Sequence, residues 1–446
     1  MTPADPAPNI PPLPPSTPRR IAFYGLFGQQ NWGNECTLQA ILYNVRRYLP
    51  TAELRCFCTD PYDTSRRHNL PAFPIATQYA KGYSTAPPVP TSRFLRLLRI
   101  LFLRIPQELS SWVRAVQALR GFDMLIVPGT GLLTDYSSNP MGFPYRLLKW
   151  ALVARFCRCR LLFVSIGAGP MRHPLTRWFI RAALSLAEYR SYRDTYSKHF
   201  VEAIDFATGH DCLYPDLAFS LPPSLFPPCD AHARPKTVIG LGVKEYHGKL
   251  GLSGPAAEAS NQEFLAKLER LVTWLLEHDY RIRLLIGDTL YDNVVREHLT
   301  KVLSMRGLPK NGSDLISASI SSVEDVVSEL AASDIVVSPR YHNIVLALML
   351  CKPAISLSYH QKFESLMTRV GLEAYCHDID NLNIDILTEN IRQLEKGRDS
   401  LREVLRRKCE KYRGALEEQY ARVFNGGPSG GCDGERKTVN VRNEPR

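Results

Sequence analysis

The sequence predicts an α/β protein made of two Rossmann-like domains, each a parallel sheet covered by helices. Three observations carry that expectation. Short apolar runs closed by Gly, Pro or Ser alternate with longer amphipathic runs through both halves of the chain, the order of repeated βα units. The stretch Pro222 to Pro235 is dense in proline and separates the two alternations, so it reads as a domain boundary. A chain of 446 residues is also too long for one simple core.

The first domain is expected over residues 21–222. Ile21 to Gly25 reads as its first strand and Gly25 to Gly28 as the exit turn. Asn31 to Glu35 then opens a helix whose Leu38, Ile41, Leu42, Val45 and Leu49 share one face. Gly28 and Gly33 let this loop approach a ligand closely, but the order G-x-G-x-x-G is absent, which argues against a dinucleotide. Leu54 to Thr59 is the second strand, and Pro61 to Pro90 reads as an irregular loop long enough to fold over a substrate. Ser92 to Ile105 sets Arg93, Arg96, Arg99 and Arg104 against Leu and Phe. This pattern suits a helix lying on a membrane surface, or a core-facing helix with a basic outer side.

Met124 to Val127 and Leu161 to Ser165 are buried strands. Each runs into a Gly-x-Gly turn, Gly129 and Gly131 after the first, Gly167 and Gly169 after the second, which sets bare backbone at the carboxyl edge of the sheet. A helix from Leu175 to Ala187 follows. Beyond the boundary, Val238 to Val243 is a strand whose exit carries Lys244. Ser260 to Glu263 reads as a capping box before Phe264 to Leu275, Arg281 to Ile286 as a strand, and Ser322 to Asp325 as a helix start.

The stretch Ala332 to Gly371 organises the second domain, expected over 236–390. A β-branched strand ends at Ser338, and Ser338-Pro339 has the chemistry of a helix cap and first turn. The helix that follows is apolar nearly all round, so Arg340 and His342 are displayed at the start of a buried helix at a strand's carboxyl end, where backbone amides and the helix dipole favour an anion. The plain structural alternative is that Arg340 pairs with a core carboxylate and His342 fills a helix start. A second strand, Ala354 to Ser358, brings Lys362 to the same rim. Residues 391–425 read as a long amphipathic helix, 1–20 as a disordered proline-rich leader and 426–446 as a disordered tail.

Strand, Arg340-x-His342, buried helix, strand and Ser358-Tyr359-x-x-Lys362 together resemble the polysaccharide pyruvyl transferase family. The resemblance extends to Asn31, Gly33 and Glu35, with Asn34 where the family has Asp. It extends also to Arg193 in Arg-Asp-x-x-Ser, to Asp216 in Pro-Asp-x-Ala-Phe, and to the glycine turns. It implies a two-domain arrangement like that called GT-B, with the terminal helix packing back on the first domain. The implied activity is transfer of pyruvate from phosphoenolpyruvate to sugar hydroxyls.

Phosphoenolpyruvate carries a carboxylate and a phosphate, so its site needs several cations held apart: Arg340, Arg193 and Lys362, with Lys244 a further candidate. His342 is the candidate acid for the methylene carbon, and Asp216 or Glu35 the candidate base. No cofactor is expected, and no His or Cys cluster has metal-ligand spacing. The formal charge of +11 favours anionic partners. The expected partners are phosphoenolpyruvate and a saccharide acceptor, free or lipid-linked; no nucleic-acid motif is evident. Eleven unpaired-looking cysteines and the lack of a secretory signal point to reduced thiols and the cytoplasm, with contact at the inner membrane face through 92–105. The rival readings are a nucleotide-sugar glycosyltransferase of the same fold and a noncatalytic binder of nucleic acid or other anions.

Overall fold

A computed structural model describes residues 19–76, 105–135, 139–227, 236–249, 254–309 and 311–425. The proline-rich leader up to residue 18, the basic stretch 92–104, residues 228–235 of the boundary and the 426–446 tail lie outside them, so those expectations concern residues beyond the description.

Among the described residues the first sheet has seven parallel strands: β1 (Arg20–Tyr24), β2 (Glu53–Cys58), β3 (Ala72–Pro74), β4 (Met124–Pro128), β5 (Arg160–Ile166), β6 (Tyr189–Tyr192) and β7 (Cys212–Leu213), in the spatial order 3-2-1-4-5-6-7. The second has β8 (Val238–Gly242), β9 (Arg281–Leu285), β10 (Leu315–Ile316), β11 (Ile335–Ser338), β12 (Ala354–Ser358) and β13 (Cys376–Asp378), in the order 10-9-8-11-12-13. Both follow the doubly wound Rossmann order. The strand order therefore reverses between β1 and β4 and again between β8 and β11, and crevices for ligands open at such points. Central strands such as β4, β11 and β12 are buried along their whole length, as a parallel sheet covered on both faces requires.

On one face of the first sheet lies α1 (Trp32–Tyr48). On the other, α3 (Ile105–Leu119), α4 (Phe143–Phe156) and α5 (Pro174–Ser185) cover a core that includes Leu119, Trp150 and Ile180. The loops at the carboxyl edges of the two sheets meet. The Trp32 amide donates to the Gly287 carbonyl (3.1 Å), the Trp32 indole to the Thr289 hydroxyl (3.1 Å), and the Thr289 amide to the Gln30 carbonyl (3.2 Å). The terminal helix α12 (Ile384–Asn425) spans both halves. Leu387, Ile391 and Leu394 are buried near its start, where Glu395 accepts from Tyr280 OH (2.9 Å). Near its end Tyr420 OH pairs with the Ser220 hydroxyl (2.7 Å), and Gln419 bridges Ser165 and Ser191.

Four local expectations are corrected. Pro61 to Pro90 is not irregular throughout: α2 (Pro61–His68) starts on the Asp60 cap with Pro61 in its first turn, and β3 follows. Arg66, Arg67 and the absence of an apolar stripe hid this helix. Ser260 to Glu263 is no helix start, because α7 (Pro255–Glu277) already runs from Gly254. The helix after β11, α10 (Tyr341–Met349), is capped at Arg340, two residues later than the Ser338 cap the pattern suggests; the Ser338 hydroxyl instead accepts the Arg340 amide (3.0 Å). Eight described cysteines are free thiols, as packing residues should be, but Cys212 is disulfide-bonded, so the reading of reduced thiols does not hold for it.

Candidate active site

Ser338 closes β11 and turns the chain into α10 by holding the Arg340 amide and the Asn343 side chain (3.3 Å) on its hydroxyl. That tight start aims Arg340 and His342 in different directions. The Arg340 stem lies on bare Gly287, where a Cβ would come within 2.7 Å of its Cγ. Its guanidinium is bidentate on Asp292, Nε to Oδ2 at 3.0 Å and Nη2 to Oδ1. Asp292, in the first turn of α8 (Thr289–Met305), also accepts the Gly287 and Asp288 amides (both 2.9 Å). The simple structural alternative for Arg340 is thus present in the structure: its charge is matched by the buried Asp292 carboxylate through Nε and Nη2.

His342 reaches into the first domain. Its ring packs on Gly33, where a Cβ would stand 2.1 Å from Nδ1, and its Nε2 lies 3.7 Å from Asp216 Oδ1. Asp216 caps a short 3₁₀ turn, accepting the Ala218 amide on Oδ1 (3.0 Å), while Oδ2 accepts from Arg193 Nη1 (3.0 Å). Arg193 also donates to the Gly129 carbonyl (3.2 Å) and lies flat over Gly167, where a Cβ would be 2.8 Å from the guanidinium carbon. Gly131 borders the same guanidinium. The glycine turns therefore admit side chains closely, as well as exposing backbone. Burial alone would raise the Asp216 carboxyl, but His342, Arg193 and the Ala218 amide outweigh it and hold it well below the usual carboxylate range. Arg193, Asp216 and His342 form one array across the two domains.

Beside this array stand two lysines. Lys244, leaving β8, and Lys362, in the first turn of α11 (Gln361–Val370), approach the Tyr359 ring to 4.8 and 5.8 Å, and Lys362 also faces Tyr341 (5.4 Å). Arg193 faces Tyr341 from 5.2 Å. Neither lysine has an ion pair among the described residues. Burial, reinforced by Arg340, pushes Lys244 down to about 8; burial, reinforced by Arg193 and Lys244, lowers Lys362. For both amines burial and the neighbouring cations outweigh the nearby carboxylates, Asp288, Asp292 and Glu245 at Lys244 and Asp194 at Lys362. His360, the cap of α11, accepts the Lys362 amide on Nδ1 (3.3 Å). Burial, Lys362 and Arg193 push it down to about 3, so its ring is neutral. Gly169 lies near this ring, 4.0 Å from His360 Nε2 to a notional Cβ.

Two candidates stand apart. Glu35 is fully buried, with one oxygen on the Gly28 amide (2.9 Å) and the other on His68 Nε2 (2.8 Å), so it braces the first loop. This pairing gives it no hydrogen bond to the array. Asn31 caps α1 and donates to Asp288 (3.1 Å), tying the domains together. Asn34, in place of the family's Asp, donates to the Leu26 carbonyl (2.9 Å), a bond no carboxylate can make. Sequence reasoning missed Asp292, Tyr341, Tyr359 and His360. The last three lie in motifs that were noticed, while Asp292 sits 48 residues before its partner on an ordinary amphipathic helix. Among the described residues no group of three or more His, Cys, Asp or Glu side chains could hold a metal ion.

Two Rossmann domains that bring the carboxyl edges of their sheets to one shared site define the GT-B class. Solved structures of that shape are similar to this chain over nearly its full length. Anabaena Alr3699/HepE in complex with UDP has a TM-score of 0.54 at 12% identity, covering 92% of this chain and all of that one (100%). UDP-GlcNAc 2-epimerase from Neisseria meningitidis bound to UDP-GlcNAc has 0.51 at 10%, covering 90% and 100%. The enzyme of the same name from Methanocaldococcus jannaschii has 0.50 at 12%, covering 84% and 91%. At such identities the likeness establishes the fold alone. The family comes from the sequence: the model for polysaccharide pyruvyl transferase matches residues 31–361, and the chain belongs to that family. No curated protein matches the sequence.

Proposed function

We propose that this enzyme transfers pyruvate from phosphoenolpyruvate to two hydroxyls of a saccharide, free or lipid-linked, as a ketal, releasing inorganic phosphate. The observation that carries the reading is the contact of His342 with ionised Asp216 beside two lysines, Lys244 and Lys362, that form no ion pair among the described residues. Lys244 and Lys362 receive the phosphate and carboxylate of the donor, which restores the charge they lack. Arg340, neutralised by Asp292, shapes the rim on which Lys244 stands.

His342, as imidazolium, delivers a proton to the methylene carbon, which becomes the methyl group and leaves the central carbon electrophilic. A carboxylate held ionised is the natural partner of that protonated ring, so Asp216 positions and charge-balances His342 instead of taking a proton from a hydroxyl. The first acceptor hydroxyl adds to the central carbon and its proton returns to His342. The phosphate then leaves, the second hydroxyl adds, and its proton departs with the phosphate. No metal takes part in this sequence, so a chelator should leave turnover unchanged.

Titration calorimetry with phosphoenolpyruvate and with UDP-sugars tests the reading. Phosphoenolpyruvate should bind and UDP-sugars should not. Selective binding of a UDP-sugar would assign the site to a glycosyltransferase.

A further inference from the structure

The helix layer on the far side of the first sheet carries large apolar side chains in the open. On α3, Leu109 and Val113 are 62% and 56% exposed and one turn apart. On α4, Leu152 and Phe156 repeat that spacing at 40% and 75%, and on α5, Leu175 and Trp178 are 48% and 59% exposed. The three helices are neighbours: the Trp112 indole donates to Tyr145 OH (3.2 Å), and the Tyr145 ring packs edge-on against Phe179. Their inner sides fill the core over this sheet face, so these exposed residues all lie on the outward side of the same layer. Soluble surfaces rarely gather six such side chains without a use.

Charge is mixed into this surface with one sign. Arg114, Arg155 and Arg181 are exposed among the apolar residues, α4 and α5 contain no acid, and the one acid of α3, Glu108, is neutralised by Lys149 (2.8 Å). We propose that the outer face of α3, α4 and α5 docks on an anionic lipid bilayer, with Phe156 and Trp178 entering the interface and the arginines meeting lipid phosphates. A second copy of the chain fits poorly, because a two-fold contact would set this basic face against itself. Nucleic acid would use the arginines and leave the apolar groups in water. No helix among the described residues is long and apolar enough to cross a membrane, so the contact is one of surface adsorption. The inference does not depend on the chemistry proposed for the active site.

Vesicle co-sedimentation, with tryptophan emission as a second readout, tests it on the full chain. The probes are vesicles of phosphatidylcholine alone and of phosphatidylcholine mixed with phosphatidylglycerol. Binding should require phosphatidylglycerol, weaken with salt and shift tryptophan emission to the blue. Phe156→Ser with Trp178→Ser, and separately Arg155→Glu with Arg181→Glu, should each lower vesicle affinity by at least about tenfold. Because all four residues are exposed, the melting temperature and phosphoenolpyruvate turnover in solution should not change. Failure of the native chain to bind anionic vesicles overturns the proposal, as does equal binding by both variants. A lower melting temperature with unchanged vesicle affinity would mean that another segment of the chain covers this face. A dimer lost in the Phe156→Ser, Trp178→Ser variant would assign the face to a second copy.

Discussion

The imidazole of His342 occupies the space that a side chain at residue 33 would fill: a Cβ on Gly33 would lie 2.1 Å from Nδ1. The two residues belong to different domains, so a glycine in the first loop fixes where the proposed acid of the second domain can stand.

Gly33→Ala should therefore act as a catalytic mutation with no change of charge. The methyl group forces the ring away by about 1 Å or more, and a displacement of that size costs about 10²-fold in rate. Turnover should fall by that factor while phosphoenolpyruvate affinity stays within a few fold. Unchanged turnover in a stable Gly33→Ala enzyme would show that the position of His342 is immaterial.

His342→Gln removes the acid and keeps a polar side chain of similar reach. Turnover should drop by roughly 10² or more, the scale of a lost general acid, with donor binding little altered. A packing role alone would instead lower the melting temperature and spare the specific activity.

For Arg340→Ala the expected loss is chiefly one of stability. Removing Arg340 leaves Asp292 buried with only backbone amides as partners, which costs about 3–5 kcal/mol when a buried pair is broken from one side. Arg340→Met combined with Asp292→Leu should recover most of it. Denaturant unfolding of the two variants decides the matter, and a stable Arg340→Ala chain with weakened donor binding would restore Arg340 as a direct clamp.

Donor affinity should depend on pH through Lys244. Its native amine loses its proton near pH 8, so phosphoenolpyruvate should bind well below that value and more weakly as pH rises through it. The ordinary value for the unfolded chain is 10.5, so between about pH 8 and 10.5 the unfolded state binds more protons than the native state. Stability without donor should accordingly rise across this window. Lys244→Met should remove both the step in affinity and its share of the rise in stability. Identical pH profiles for the two proteins would exclude Lys244 from the site.

Much of the fold was legible because strand and helix signals are local. Apolar runs such as Met124 to Val127 and Ile335 to Val337 announce buried strands by themselves, and the βα order then leaves few topologies. Local reading failed where side chains did not advertise their role. The helix Pro61–His68 has no apolar stripe, and Ser260 and Glu263 mimic a cap inside a longer helix.

For the site, the sequence by itself determined which residues stand at the carboxyl edges of the strands, among them Arg193, Asp216, Lys244, Arg340, His342 and Lys362. Period and breakers specify the edge without reference to distant parts of the chain. Only the tertiary structure decided which charges meet. Asp292 neutralises Arg340, Asp216 joins Arg193 to His342 across the domains, Glu35 turns inward to His68, and Lys244 and Lys362 are left without counter-ions among the described residues. Those pairings depend on how loops far apart in the chain are brought within a few ångströms. Coulomb and hydrogen-bond energies are decided at that range, and spacing along the chain carries no record of it.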